Sequence, residues 1–157
     1  MLAAAGCRHV IYGVESGSER LRREVMKRPV GNACILEAFR RTQEAGMLAT
    51  ANYMLGLPGE TRDDVELTLA LNEELEPDDF GHFVFYPYPG TKLFDLCRRE
   101  GMLPGDWAER AADERQSILD LPGLSPADIY EYCSRFEAAR ERLRKRRYGR
   151  AAAVVRE

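Results

Sequence analysis

Metal-ligand spacing is missing from this sequence. The four cysteines, Cys7, Cys34, Cys97 and Cys133, form neither CxxC nor CxxxCxxC, so spacing marks no metal site and the thiols read mostly as small apolar residues. Histidine is scarce: His9 and His82 are the only two, and no Ser/His/Asp arrangement can be built around them. No apolar run approaches the ~20 residues that span a bilayer. Charge of one sign is also lacking, since a net charge of −3 does not mark nucleic acid as a partner. The start, MLAAAGC, has no basic leader. It reads as a last helical turn capped by Gly6 rather than a lipoprotein site, a hint that the fold is entered midway. These absences predict a cytoplasmic chain with free thiols and no membrane partner.

What is present suits one globular domain. The chain has 157 residues, 45% apolar and 31% charged, enough for a core. It is too short for a full eightfold α/β barrel of ~250 residues. The dense apolar stretch in 8–15 (Val10, Ile11, Tyr12, Val14) predicts a buried strand, closed by Ser16-Gly17-Ser18 as turn and N-cap. A short charged helix is expected over 19–27, broken by Pro29 and Gly31, and a second over 33–45, ended by Gly46. A strand over 48–57 runs into Pro58-Gly59. Thr61 then caps a helix with Asp63 and Asp64 at its positive end and the pairs Val65/Leu69 and Leu67/Leu71 as its buried face. An aromatic-rich strand over 80–86 stops at Pro87, and Thr91 caps a helix closed by Gly101. Such alternation implies βαβ units and a parallel sheet.

Residues 104–124 read as an irregular connection. Ser125-Pro126-Ala127-Asp128 opens a last helix, with Pro at its first position and an acid at its third. Residues 125–157 therefore form a C-terminal helix and tail. The helix is expected to end in the basic run 142–147, for which a solvated helix end favoured by the dipole is the preferred reading over an RNA contact.

In a parallel α/β fold the site lies at the carboxyl ends of the strands. Three segments fall there: GVESGS (13–18), GLPGET (56–61) and YPYPGT (86–91). Their glycines, prolines and small hydroxyls let backbone approach a ligand, although each alone could be only a turn. GLPGET lacks the spacing of a phosphate-binding P-loop. His9, opening a strand, reads as a surface residue. His82 would point into a barrel if Phe80, Val84 and Tyr86 share its face.

In order along the chain, IYGVESGSERL…MKR, NYMLGLPGETRDDV and FYPYPGTKLFDLCRREGML resemble the later strands of radical S-adenosylmethionine (SAM) enzymes. The likeness is greatest to the group that carries an upstream cobalamin-binding domain. It covers 1–103, and LDLPGLSPADI resembles that group's tail. The resemblance implies a partial (β/α) barrel of about three parallel strands with covering helices, followed by a C-terminal helical tail. It implies a SAM-binding part of an enzyme that cleaves SAM reductively to a 5′-deoxyadenosyl radical, with a [4Fe-4S] cluster in the complete enzyme and cobalamin through an upstream domain.

Residue by residue, the resemblance places Glu15, with Ser16 beside it, where relatives contact the SAM ribose from the fourth strand. Asn52 takes the matching place on the fifth strand. Both side chains can accept hydrogen bonds from ribose hydroxyls. Arg28, with Lys27 second, takes the place of the basic residue that meets the SAM carboxylate, where a planar fork suits a carboxylate. The backbone of Leu57, Pro58 and Gly59 is expected to border the adenine, with Tyr86 and Tyr88 near the substrate. The sequence departs from the family in lacking the CxxxCxxC loop and the first three strands. The chain is therefore expected to be a fragment, a truncated frame or one half of a split enzyme. Its missing N-terminal half would be supplied in cis or in trans, or its open sheet edge would support self-association as a non-catalytic remnant.

Overall fold

The computed structural model describes residues 1–109 and 116–154. Residues 110–115 of the expected connection and 155–157 of the tail lie outside the described residues. Three strands, β1 (His9–Glu15), β2 (Leu48–Leu55) and β3 (Asp79–Val84), form one parallel sheet in the order β1-β2-β3. Helices α1 (Asn32–Glu44) and α2 (Arg62–Leu75) connect them. Helix α3 (Lys92–Arg99) follows β3, and α4 (Pro126–Val154) closes the described chain. The expected α/β class, part of a (β/α) barrel with a C-terminal helix, is the observed architecture.

Alternation along the strands divides the sheet into two unlike faces. Val14, Ala49, Ala51, Tyr53, Leu55 and Phe80 point to one side, where they share a core with Ile35 and Phe39 of α1, Val65 and Leu71 of α2, and Ile129 and Phe136 of α4. Phe136 lies 5.7 Å from the Tyr53 ring and 6.3 Å from that of Phe80, edge-on and tilted geometries that favour aromatic pairs. Among the described residues the opposite face carries no helix. Ile11, Leu48 and Phe83, each at least half exposed, lie there beside His9, whose Nε2 meets Thr50 Oγ1 at 2.7 Å. A second core of Leu21, Leu57, Phe85, Cys97, Ile118 and Leu119, joined by Met54, closes the carboxyl end of the sheet.

Helix starts follow their side-chain caps. Thr61 and Asp64 form a reciprocal capping box at α2, Thr91 accepts from Phe94 N–H at α3, and Ser125 and Asp128 exchange the same pair of bonds at α4. Each such cap stabilises its helix by about 1 kcal/mol.

Five expectations are corrected. The strand over 8–15 is not buried: only Val14 is, Ile11 is mostly exposed and Val10 and Tyr12 are partly covered, because helices pack on one face of the sheet alone. The helix over 19–27 is a wider π-type turn, Leu21–Val25, in which Met26 N–H reaches Leu21 O at 3.0 Å. Tertiary bonds fix it: the buried Arg22 guanidinium donates to Val30 O, Ser16 O and Asn32 Oδ1. Leu67 is half exposed rather than buried, because α2 meets the sheet along its Val65–Leu71 side. His82 does share the face of Phe80, but that face meets α4, where its ring stacks on Phe136 at 5.4 Å; it does not point into a barrel. The basic run is neither the end of α4, which continues to Val154, nor simply solvated. Arg140 binds Asp79 through two bonds at 2.8 and 2.7 Å. Arg144 also reaches Asp79, and Arg147 pairs with Asp78. This part of α4 is strapped to the amino end of β3.

Candidate functional site

The three carboxyl-end segments gather at one rim. At the end of β1 the ladder slips between Gly13 and Glu15, and Glu15 adopts a left-handed backbone, φ 68°. That conformation is costly for a residue with a side chain and is common at functional sites. The Glu15 carboxylate folds back over Gly13: Oε1 stands 2.6 Å from where a Gly13 Cβ would be. Arg28 grips both, donating from Nη1 to Glu15 Oε1 and from Nη2 to Gly13 O, each at 3.2 Å.

Gly13 pairs across the ladder with Asn52, and Asn52 with Gly81. Paired residues of parallel strands share a face, with ~4.8 Å between strands. The Glu15 carboxylate and Asn52 therefore lie on the same open face of the sheet. On the far side, a Cβ at Gly81 would approach Asn52 Oδ1 to 3.2 Å. Two glycines thus flank Asn52: the Glu15 carboxylate occupies the space over Gly13, and Asn52 Oδ1 with the Phe83 ring occupies that over Gly81.

The GLPGET segment turns sharply through Gly56, whose φ of 76° suits only glycine readily. Glu60 is buried within that turn. Its Oε2 accepts from Gly56 N–H at 2.5 Å and Leu57 N–H at 3.1 Å, while Oε1 finds no partner among the described residues. Burial pushes the Glu60 carboxyl up to about 8, against the pull of the two backbone donors, with Asp64 adding to the rise and Arg20 opposing it. The turn is tied to the β1 segment by Arg20, which donates to Gly59 O at 2.9 Å and Asp64 Oδ2 at 2.6 Å. Thr68 of α2 makes the second tie, accepting from Gly17 N–H at 2.8 Å.

The structure brings Glu15, Arg28 and Asn52 together and places the other expected residues differently. Ser16 is fully buried. Its hydroxyl accepts from Ser18 N–H and meets Thr68 Oγ1 at 3.3 Å, so it braces the turn and does not face the open side. Lys27 is exposed with a left-handed φ of 57°, where the backbone turns to present Arg28. Leu57 and Pro58 are buried and Gly59 is exposed, with nothing within 4 Å of its Cβ position, so Gly59 is the accessible backbone of this trio. Tyr86 and Tyr88 meet edge to face at 5.1 Å, with Tyr88 mostly exposed. Gly13, Arg20, Arg22, Glu60 and Thr68 were not foreseen. Only Glu60 carried a local signal, as the acid closing a Gly-rich turn.

The cysteines do not fit an iron–sulfur cluster. Cys97 and Cys133 are buried in different cores, and Cys7 and Cys34 lie on separate elements. Among the described residues no group of three or more His, Cys, Asp or Glu could hold a metal ion, and no helix is long and apolar enough to cross a membrane. The open face beside Asn52, in contrast, carries a carboxylate and an amide oxygen side by side, the acceptors that ribose hydroxyls would need.

A parallel sheet with helices on one face, an open opposite face and a polar rim at its carboxyl ends defines part of a (β/α) barrel. The resemblance to the radical SAM superfamily is borne out: the model of that superfamily matches residues 1–71. The chain is 36% identical over 90 residues to a tRNA-2-methylthio-N(6)-dimethylallyladenosine synthase of Thermus thermophilus, covering 56% of this chain and 19% of that protein. It is 23% identical over 155 residues to the cytidylyl-2-hydroxyethylphosphonate methyltransferase of Streptomyces wedmorensis, covering 94% and 29%. Its fold matches that of the radical SAM methyltransferase TsrM from Kitasatospora setae, solved with tryptophan substrate and aza-SAM, with a TM-score of 0.65 and 20% identity over 87% of this chain and 32% of that one. The chain spans between a fifth and a third of the length of these proteins.

Proposed function

We propose that this chain is the SAM-binding part of a radical SAM enzyme. One observation carries the reading: the Glu15 carboxylate and Asn52 stand on adjacent strands of the same open face, beside the GLPGET turn. There they can accept hydrogen bonds from the two hydroxyls of a ribose, while the open backbone at Gly59 borders the adenine. Tyr86 and Tyr88 lie at the carboxyl end of β3, on the side assigned to the substrate. The iron–sulfur cluster needed for reductive SAM cleavage is held by cysteines outside this sequence, in cis or in trans. Ile11, Leu48 and Phe83 are the apolar surface against which that complement packs. Cobalamin, if used, belongs to a further domain. TsrM has been solved with cobalamin and a [4Fe-4S] cluster, and this is the arrangement proposed for the complete enzyme.

Titration of the purified chain with SAM by calorimetry tests the reading. Binding is expected, and Glu15→Ala should weaken it roughly ten- to hundredfold, the worth of hydrogen bonds to a charged acceptor. Asn52→Ala should weaken it about threefold to tenfold. Unchanged affinity in both variants defeats the proposal. Joined with a partner bearing CxxxCxxC and reconstituted with iron and sulfide under anaerobic conditions, the chain should support formation of 5′-deoxyadenosine.

The bare face also supports a second reading, a non-catalytic remnant that pairs with a second copy through the free edge of β1. It predicts a concentration-dependent dimer by light scattering and no affinity for SAM.

A further inference from the structure

We infer that residues 117–124, distant from the rim in sequence, set the position of the GLPGET turn, with Gly123 as a positioning residue for the adenine side of the site. This rests on the nucleoside-binding reading of the rim and adds a part to it. The superfamily model ends at residue 71, so the segment lies beyond the stretch that marks the family.

The back of the turn is lined by this segment and the helix after it. Apart from chain neighbours, the atoms nearest the Cβ position of Gly56 are Ile129 Cδ1 at 3.5 Å, Leu121 Cδ1 at 3.6 Å and Ser117 Cβ at 3.7 Å. Gly123 comes closest of all. A Cβ there would stand 2.5 Å from Glu60 O, 3.3 Å from Thr61 Cγ2 and 3.4 Å from the Glu60 carbonyl carbon. The Gly123 backbone does not use the left-handed region, so its missing side chain answers to the contact with Glu60 and not to conformation.

Both sides of this contact are anchored. Leu124 is buried next to Gly123, Leu121 packs against both cores, and Ser125 and Asp128 cap the helix that follows. Opposite them, Glu60 holds the turn from within through the N–H groups of Gly56 and Leu57, and Thr61 is fixed by the capping box of α2. The side left open is that of Gly59, which is exposed and borders the adenine. A methyl group at Gly123 therefore drives the turn toward the space that the base fills.

Calorimetry with 5′-methylthioadenosine and S-adenosylhomocysteine reads this displacement. Gly123→Ala should weaken both by the same factor, about threefold to tenfold, because the turn meets only the adenine they share, and the number of sites should stay the same. Leu121→Ala withdraws the prop instead of overfilling it and should act in the same direction. A glycine that serves stability alone predicts a lower melting temperature and fewer sites at an unchanged Kd, and that result overturns the proposal.

Hydrogen exchange supplies a readout without ligand. In Gly123→Ala the Gly56 and Leu57 amides should exchange about tenfold faster while the amides of β2 keep their rates, a local opening rather than a global one. Uniform acceleration through the sheet, or no change at Gly56 and Leu57, also overturns the proposal. Should Gly123→Ala fail to fold, Leu121→Ala carries both readouts. Should the unaltered chain bind neither nucleoside, the SAM-binding reading fails, and exchange still decides whether the segment props the turn.

Discussion

Gly17→Ala probes the contact that holds the β1 segment against α2. A Cβ at this position would stand 2.5 Å from the Leu67 carbonyl carbon, 2.6 Å from Thr68 Cα and closer still to the Leu67 oxygen. These are backbone atoms of a helix locked by its capping box, so no side chain can swing away to make room. Forcing the extra carbon in costs about 1–3 kcal/mol in strain. Separation also loosens the bond from Gly17 N–H to Thr68 Oγ1, 2.8 Å long, whose net worth is about 1 kcal/mol. The sum, about 3 kcal/mol, corresponds to a fall in melting temperature of roughly 6–12 °C for a domain of this size. Differential scanning calorimetry measures it directly. Thr68→Val, which removes the hydroxyl's hydrogen bonds and keeps the side chain's shape, should cost about 1–2 kcal/mol. Combining the two changes should not rescue Gly17→Ala, because the clash is with backbone. A Gly17→Ala midpoint unchanged within error would show that the rim turn is not clamped to α2 as described.

Three other perturbations follow from the same geometry. Phe136→Ala empties the centre of the aromatic core between Tyr53, Phe80 and His82 and should cost about 3–5 kcal/mol by urea denaturation. The buried Glu60 carboxyl is raised by burial to about 8, well above its unfolded value. Its contribution to stability is thus fully present below about pH 4 and is lost as pH rises through about 8; Glu60→Gln should flatten the decline in urea midpoint between pH 5 and 8. The hydrogen bonds from Arg140 hold the Asp79 carboxyl well below the usual range, against the effect of burial, with Arg144 adding to them. That stability is present at neutral pH and lost as pH falls below about 4; Asp79→Asn should cost about 1 kcal/mol at low salt and less at high salt.

The parallel order of the sheet and the capped helices were legible because their signals are local. Thr61 with Asp64, Ser125 with Asp128, and the apolar stretch Val10–Val14 need no distant partner to declare themselves. Glu15 and Asn52 were legible by resemblance, but their shared face was not: the ladder slip pairs Glu15 with the inward-facing Tyr53, and only the fold-back over Gly13 brings its carboxylate to the side of Asn52. What escaped the sequence is tertiary. The π-type turn at Leu21–Val25 exists because a buried Arg22 reaches three oxygens six to ten residues away, a spacing that helical periodicity does not signal. Ser16 turned inward because Thr68, 52 residues away, meets it. The basic run 142–147 was read as solvated because Asp78 and Asp79, its partners, lie more than sixty residues earlier. His82 illustrates a subtler miss: its face was deduced correctly from alternation, yet nothing in β3 says which face α4 will cover.

A crystal structure of the chain with S-adenosylhomocysteine tests the central claim most directly. The ribose hydroxyls should sit on the open face of the sheet, bonded to the Glu15 carboxylate and to Asn52, with the adenine along Gly59. A ligand found anywhere else on the molecule, or a face that stays empty at saturating ligand, would contradict the account.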